Sequence, residues 1–187
     1  ATDKIRNVVV ISHGGAGKTS LMEAMLYCAG ATDRLGRVDD GSTVGDYDPE
    51  EVKRKISIST SMAPLEWKGT KITILDTPGF ADFVGEVRGA LSVVDGAIVV
   101  VDAVAGVEVE TEKVWRYAEE RSVAKIVVVN KMDRENADFD KVLQGLRAMW
   151  GTKVVPVQVP IGSQASFSGV VDIVAGKAYS FKGKDAI

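Results

Sequence analysis

The chain has 187 residues, enough for one domain with a full hydrophobic core and the start of a second. Apolar residues make up 45% and charged residues 26%, as in ordinary globular proteins, and the net charge of −3 argues against sequence-specific nucleic-acid binding by this segment itself. The single cysteine, Cys28, excludes an internal disulfide. No apolar run is long enough to cross a membrane, so we expect a cytoplasmic protein with no membrane contact.

Short apolar runs alternate with amphipathic segments, which predicts an α/β fold with a mostly parallel sheet and helices on both faces. The six predicted strands, in chain order, are 6–12, 56–67, 70–76, 97–102, 125–130 and 154–159. The predicted helices are 21–28, a segment from about residue 82, 109–121 and a segment that begins after Asp138. The final stretch is rich in Gly and Ser, with short strand-like pieces at 170–173 and 178–181.

A glycine-rich turn follows the first predicted strand and leads directly into the first predicted helix. It differs from the pattern GxxxxGK[ST] only at its first position, Ser12. In this context backbone N–H groups surround a phosphate chain, Lys18 reaches the β- and γ-phosphates, and the Thr19 hydroxyl binds Mg²⁺. The candidate phosphate-binding residues are His13, Gly14, Gly15, Ala16, Gly17, Lys18, Thr19 and Ser20. The alternative is a glycine-rich turn with an incidental lysine.

A long polar segment, residues 31–55, separates the first helix from the next strand. Connections of this length inside a compact domain are usually functional or mobile. Nucleotide-dependent switches need a segment that the γ-phosphate and Mg²⁺ order, and that hydrolysis releases. Ser57, just after this segment, is a candidate second hydroxyl ligand for the metal. A strand serine that faces solvent fits the spacing almost equally well.

Asp76-Thr77-Pro78-Gly79 ends the third predicted strand. A carboxylate at this place can hold Mg²⁺, usually through water, and the Gly79 N–H can bind the γ-phosphate. Asp-x-x-Gly alone is a common turn. Its position after a buried strand and downstream of the glycine-rich turn favours the nucleotide-binding interpretation.

Asn130-Lys131-Met132-Asp133 follows the fifth predicted strand, at the edge where open α/β sheets bind ligands. An aspartate here can accept hydrogen bonds from the ring N–H and the exocyclic amine of guanine, a pair that adenine does not offer. Asp133 therefore favours GTP over ATP and argues against an ATP-using P-loop enzyme such as a small-molecule kinase. Asn130 would tie loops together near the base, and the aliphatic part of Lys131 would cover its plane. A polar strand-to-helix loop is the alternative.

Taken together, these motifs resemble the GTPase domain of elongation factor G. Further matching segments are Asp82-Phe83, Arg134, 95–100, 106–108 and 167–172. The resemblance implies a P-loop GTPase with a three-layer sandwich fold, which binds GTP or GDP with Mg²⁺ and hydrolyses GTP on the ribosome during translocation or subunit recycling. It implies that Thr19, Ser57 and Asp76 hold the metal, and that Lys18 and Gly79 contact the γ-phosphate.

Two departures from that family bear on catalysis. The family has a histidine after Asp-Thr-Pro-Gly that positions the attacking water, and this chain has Phe80 there. Such a group typically contributes roughly 10²–10⁴ in rate. Gly15 replaces a family aspartate, and the sole histidine, His13, matches a histidine of the phosphate loop. We therefore predict a divergent paralogue, whose alternative role is a GTP-gated binding module with little intrinsic hydrolysis.

The family pattern also predicts the domain organisation. Residues 1–160 are expected to form the core of the GTP-binding domain, and residues 161–187 the start of an insertion subdomain. The later guanine-reading loop and the last helix of such GTPases do not follow, so the fold is expected to be incomplete at its C-terminus. We therefore expect an N-terminal part of a longer, monomeric protein whose later domains are absent from this chain.

Overall fold

The computed structural model describes residues 2–182 and 185–186. Its helices are α1 (Lys18–Cys28), α2 (Pro49–Arg54), α3 (Val84–Leu91), α4 (Val109–Glu120) and α5 (Phe139–Trp150). Its strands are β1 (Ile5–Ile11), β2 (Ser61–Trp67), β3 (Thr70–Asp76), β4 (Gly96–Asp102), β5 (Ala124–Asn130), β6 (Gln158–Ile161), β7 (Gly169–Asp172), β8 (Lys177–Lys182) and β9 (Asp185–Ala186). None of the described helices has the length and apolarity that a membrane crossing requires.

The chain divides into two compact units, one of residues 1–100 with 108–128 and one of residues 101–107 with 129–187. The main sheet has the strand order β2-β3-β1-β4-β5. β1 pairs in parallel with β3 and with β4, and β2 runs antiparallel to β3. Since β1 and β3 are parallel neighbours, with Val10 opposite Asp76, the loops that follow them leave the same edge of the sheet.

Helices cover both faces of this sheet in the first unit. Met22 and Leu26 of α1 share a buried cluster with Val10 of β1. Side chains alternate along a strand, so the fully buried Val9 and Ile11 of β1 point to the opposite face. There α3 contacts both β1 and α4. The predicted arrangement of helices is thus found in this unit.

The second unit contains an antiparallel sheet with the order β6-β7-β8-β9. β7 and β8 correspond to the strand-like pieces predicted near the end of the chain. The predicted sixth strand at 154–159 is wrong as a member of the main sheet, because β6 starts at Gln158 and pairs with β7. The main sheet therefore has five strands among the described residues. Residues 1, 183, 184 and 187, which the predicted domain boundaries include, lie outside them.

The polar segment 31–55 contains a helix that its lack of periodicity did not predict. α2 begins after Asp48, whose carboxylate accepts the Glu50 N–H at 2.8 Å. Glu51 accepts the Asp48 N–H in return, which completes a capping box, and Pro49 occupies the first helical position. The predicted strand at 56–67 starts only at Ser61, because residues 56–60 form an irregular connection after this helix.

Candidate functional site

The glycine-rich turn between β1 and α1 presents backbone N–H groups at a helix N-terminus. Gly15 and Gly17 have φ angles of 80° and 96°, which residues other than glycine rarely adopt. Gly17 is the N-cap of α1 and supplies no side-chain cap. The first N–H groups of α1 thus have no side-chain acceptor at the cap, and together with the helix dipole they suit an anion.

Ser12 occupies the position where the usual phosphate-loop pattern has glycine. Its side chain is buried, and its hydroxyl donates a hydrogen bond to the carbonyl of Val100 on β4. The serine is therefore accommodated by the neighbouring strand. The ring of His13 is also buried, with Nδ1 3.0 Å from the Thr111 hydroxyl and Nε2 3.5 Å from a Glu108 carboxylate oxygen. The His13 ring thus connects the turn to the start of α4, while the backbone carbonyl of His13 faces Lys18.

Lys18 is the buried cation of the first unit's candidate site. Its ammonium donates to the His13 carbonyl at 2.9 Å. Burial lowers the pKa of Lys18 to about 8, although the charges of Asp76 and Asp46 oppose that change. The group is therefore mostly protonated at neutral pH, and an approaching phosphate would restore the favourable environment that burial removes.

Two hydroxyls and two carboxylates meet beside this lysine. The Thr19 hydroxyl donates to Asp76 Oδ2 at 2.6 Å, and the Ser57 hydroxyl donates to Asp46 Oδ1 at 2.7 Å. The two hydroxyl oxygens are themselves 3.3 Å apart. The three predicted metal-binding residues, Thr19, Ser57 and Asp76, are thus brought together. Asp46 is an additional acid that the sequence did not single out.

The carboxylate of Asp76 is buried and only partly satisfied. Its Oδ1 has no hydrogen-bond partner among the described residues. Burial raises the pKa of Asp76 to about 6, although the hydrogen bond from Thr19 and the charge of Lys18 favour the ionised form. Burial likewise raises the pKa of Asp46, against the hydrogen bond from Ser57. Carboxylates that lack enough positive charge and enough donors are suited to a bound cation.

The turn after β3 lies directly against the phosphate loop. A Cβ atom on Gly79 would be 2.4 Å from Lys18 Nζ and 2.7 Å from Gly14 Cα, so only glycine fits. The ring of Phe80 lies over Gly14. A Cβ on Gly14 would be 3.1–3.3 Å from three atoms of that ring. Phe80 is nevertheless 46% exposed. The predicted residues Lys18, Gly79 and Phe80 are therefore neighbours of one loop.

The second unit holds the Asn-Lys-Met-Asp segment. Lys131 has a φ of 61°, and its ammonium donates to Asp102 Oδ2 at 2.6 Å. Asp102 Oδ1 accepts the backbone N–H groups of Val104 and Ala105, so this carboxylate organises the loop after β4 and holds Lys131. These hydrogen bonds outweigh partial burial and keep the pKa of Asp102 below its ordinary value.

The rest of that segment is anchored from both sides within the second unit. The Asn130 carbonyl accepts the Ala103 N–H at 2.9 Å, and the Met132 carbonyl accepts the Gln164 N–H at 3.0 Å. Met132 itself is buried in a cluster with Ala103. Asp133 is exposed, so its carboxylate is accessible to a polar ligand.

Comparisons with known proteins point in one direction. The profile of the family described as "Elongation factor Tu GTP binding domain" matches residues 3–183. The chain belongs to this family. Elongation factor G of Thermotoga petrophila is 44% identical over 183 residues, which cover 98% of this chain and 26% of the relative. Elongation factor G 2 of Streptomyces coelicolor is 45% identical over 169 residues, which cover 90% of this chain and 25% of the relative.

The fold of this elongation-factor domain agrees with a solved relative. A crystal structure of a Thermus thermophilus protein matches it with a TM-score of 0.93 at 41% identity, covering 98% of this chain and 28% of that one. The predicted resemblance to elongation factor G and the α/β class with a mostly parallel sheet are confirmed. The chain spans about a quarter of the length of the curated relatives.

Sequence reasoning missed two acids that shape the site of this elongation-factor domain. Besides Asp46, Glu51 is buried, and its Oε1 accepts the N–H groups of Ile58 and Ser59 at 2.8 and 3.1 Å. Glu51 thereby holds the segment that carries Ser57. The capping-box spacing from Asp48 to Glu51 signals the start of α2 in the sequence, but it does not reveal the contacts of Glu51 with residues 58 and 59. No local pattern identified Asp46, because its partner is eleven residues away.

Proposed function

We propose that this chain binds GTP and GDP with Mg²⁺ and hydrolyses GTP as the GTP-binding domain of an elongation factor G-like protein. The supporting observation is the meeting of Thr19, Ser57 and Asp76 beside the buried Lys18. In this proposal the phosphates are bound by residues 13–20 and by the Gly79 N–H. Guanine is recognised by Asn130, Lys131 and Asp133. The whole protein would act on the ribosome in the cytoplasm, with residues 161–187 beginning an insertion subdomain.

The donor set beside Lys18 fits Mg²⁺. It consists of hydroxyl and carboxylate oxygens, the ligand type that this ion prefers, and it includes the unpartnered buried Asp76 Oδ1. Thr19 and Ser57 would bind the ion, with Asp76 and Asp46 supporting its water shell. The ion would supply positive charge at the β- and γ-phosphates. The chain's own contribution is mostly positioning, since Lys18 and the loop N–H groups neutralise phosphate charge and orient the γ-phosphate.

The second candidate function is a GTP-gated binding module with little hydrolysis. The observation that favours it is the Phe80 ring, which lies against Gly14 of the phosphate loop. A phenyl ring has no group that can orient water or accept a proton. In that case GTP binding would set the conformation of the loops, and a partner such as the ribosome would recognise it.

Single-turnover cleavage of GTP, with and without ribosomes, separates the two candidates. We expect Phe80→His to accelerate cleavage by roughly 10²-fold or more and Phe80→Trp to leave it unchanged. Wild-type rates already as fast as those of histidine-containing relatives would contradict a role for Phe80 as a brake. Displacement of labelled GTP tests the nucleotide, because efficient competition by ATP would contradict guanine recognition through Asp133.

A further inference from the structure

Glu23 is an acid in the interior that none of the nucleotide contacts explains. It lies one turn after Thr19 on α1 and is 0% exposed. Burial of a carboxylate costs several kcal/mol unless the charge is compensated. An apolar residue would serve the packing of α1 at lower cost, so the contacts of this carboxylate need an explanation.

The contacts of Glu23 lead to the polar segment between α1 and α2. Its Oε1 accepts the Val44 N–H at 2.6 Å, a short charge-assisted hydrogen bond. The same segment passes the carboxylate at a second point, because a Cβ on Gly36 would be 2.2 Å from Oε2. One side chain of α1 therefore touches the loop at positions 36 and 44.

The residues that follow Val44 also contact α1. A Cβ on Gly45 would be 2.6 Å from Met22 Cε, so the backbone there lies directly on the side chain that precedes Glu23. Asp46 follows and accepts the Ser57 hydroxyl. The backbone is thus held on α1 immediately before the residue that reaches into the candidate metal site.

We propose that Glu23 is a positioning residue that fixes loop 36–46 to α1 and so holds Asp46 and Ser57 beside Thr19. Through its effect on Mg²⁺ this inference rests on the proposed function, whereas the anchoring of the loop does not. Because α1 also starts at the phosphate loop and carries Thr19, Glu23 joins loop 36–46 to the helix that carries Thr19. Loop order and the geometry of the metal-binding hydroxyls are thereby coupled.

The surroundings of the carboxylate favour anchoring over a purely structural role. Glu23 Oε2 and the Thr32 hydroxyl are both buried without a hydrogen-bond partner among the described residues. Both residues line a cavity of about 270 Å³ together with Ser42 and Val44 of the loop. Because Oε2 has no donor, replacing Glu23 by leucine removes the cost of burying an uncompensated carboxylate, which offsets the loss of the hydrogen bond from the Val44 N–H. A structural role and an anchoring role therefore predict different effects of the same substitution.

The first test is the accessibility of the loop to trypsin after Arg34 and Arg37, measured on the nucleotide-free protein in EDTA. Glu23→Leu keeps the bulk of the side chain and removes the acceptor, so we expect cleavage to become about tenfold faster or more, without a matching loss of global stability. Glu23→Gln retains a neutral acceptor and should show a smaller increase. Glu112, an exposed residue of α4, provides the control. The Glu112→Leu protein should be cleaved at the wild-type rate.

A second variant covers the case in which Glu23→Leu does not fold. Gly36→Ala leaves α1 unchanged and places a methyl group against the Glu23 carboxylate and 2.9 Å from the Ser42 carbonyl, so it disturbs the packing of the loop on Glu23 and should also accelerate cleavage at these sites. Unchanged cleavage in Glu23→Leu, or in Gly36→Ala where the first variant does not fold, would overturn the inference. A global loss of stability that accounts for the whole increase would overturn it as well.

The last measurement connects the anchor to the metal. Affinity for a fluorescent GDP analogue is compared in Mg²⁺ and in EDTA. We expect Glu23→Leu to lose most of the Mg²⁺-dependent tightening, while its affinity in EDTA stays within about twofold of the wild type. Full retention of the tightening contradicts the coupling. If the wild type itself shows no tightening, the proposed metal function fails, and the trypsin experiment still decides whether Glu23 anchors the loop.

Discussion

Asp76→Asn should stabilise the metal-free protein while damaging its proposed function. Burial raises the pKa of Asp76 from 3.8 to about 6, a balance that already includes the attraction of Lys18 and the hydrogen bond from Thr19. At 1.36 kcal/mol per pKa unit, the charged form costs the folded state about 3 kcal/mol at pH 7. Asparagine keeps the size and the acceptor for Thr19 and carries no charge. The free energy of unfolding should therefore rise by up to about 3 kcal/mol.

The pH dependence gives this prediction its internal control. A folded-state pKa above the unfolded value means that the folded protein binds more protons between pH 3.8 and about 6. The wild type then loses stability relative to the variant as pH rises through this window. The difference should be near zero below pH 3.8, where Asp76 is neutral in both states, and should level off above pH 6.

Urea unfolding in EDTA, followed from pH 3.5 to 7.5, measures this difference. The exposed Asp140→Asn should shift stability by less than about 1 kcal/mol. An Asp76→Asn protein that is equally or less stable than the wild type at pH 7 would refute the reasoning. Adding GDP and Mg²⁺ should reverse the order, because a ligand stabilises only the protein that binds it.

Three further substitutions test contacts inside each of the two units. Gly79→Ala should push the turn after β3 away from the phosphate loop, where its Cβ would be 2.4 Å from Lys18 Nζ, and should weaken GTP binding more than GDP binding in nucleotide titrations. Asp102→Asn removes the ion pair to the lysine of the second unit's loop and should cost about 1.5–3 kcal/mol in chemical denaturation. Asp138→Ala removes the N-cap of α5 and should cost about 1 kcal/mol in the same assay.

Each of these three predictions has an outcome that would contradict it. Gly85→Ala on α3 adds a methyl group in open space and serves as the control for Gly79→Ala; equal effects of the two would argue against the close approach to the phosphate loop. An Asp102→Asn variant as stable as the wild type would mean that water replaces the ion pair to Lys131 at no cost. For Asp138→Ala, a loss well above 2 kcal/mol would indicate a role beyond capping.

Element types followed from the sequence wherever local pattern and packing agree. β1, β3, β4 and β5 are β-branched runs bounded by turns, and α5 starts at the predicted cap, where Asp138 accepts the Lys141 N–H at 2.9 Å. α2 is a six-residue helix without amphipathic periodicity, so only the capping box from Asp48 to Glu51 signals it in the sequence. The strand near residue 158 pairs with β7 and not with the main sheet, since the partner of a short apolar run is decided by distant residues that local pattern does not reveal.

The sequence by itself determined the order of the motifs, and with it the family and the candidate ligands on Thr19, Asp76 and Asp133. Spacing along a strand–turn–helix unit is local, so a single sequence reveals it. Only the tertiary structure brought Ser57 to within 3.3 Å of Thr19 and buried Asp46 of the loop and Glu23 of α1. The contact of Ser57 with Thr19 joins residues 38 positions apart, and that of Glu23 with Val44 joins residues 21 positions apart. They form because a polar loop with little periodicity is held on α1 by a buried carboxylate, which no local pattern of residues predicts.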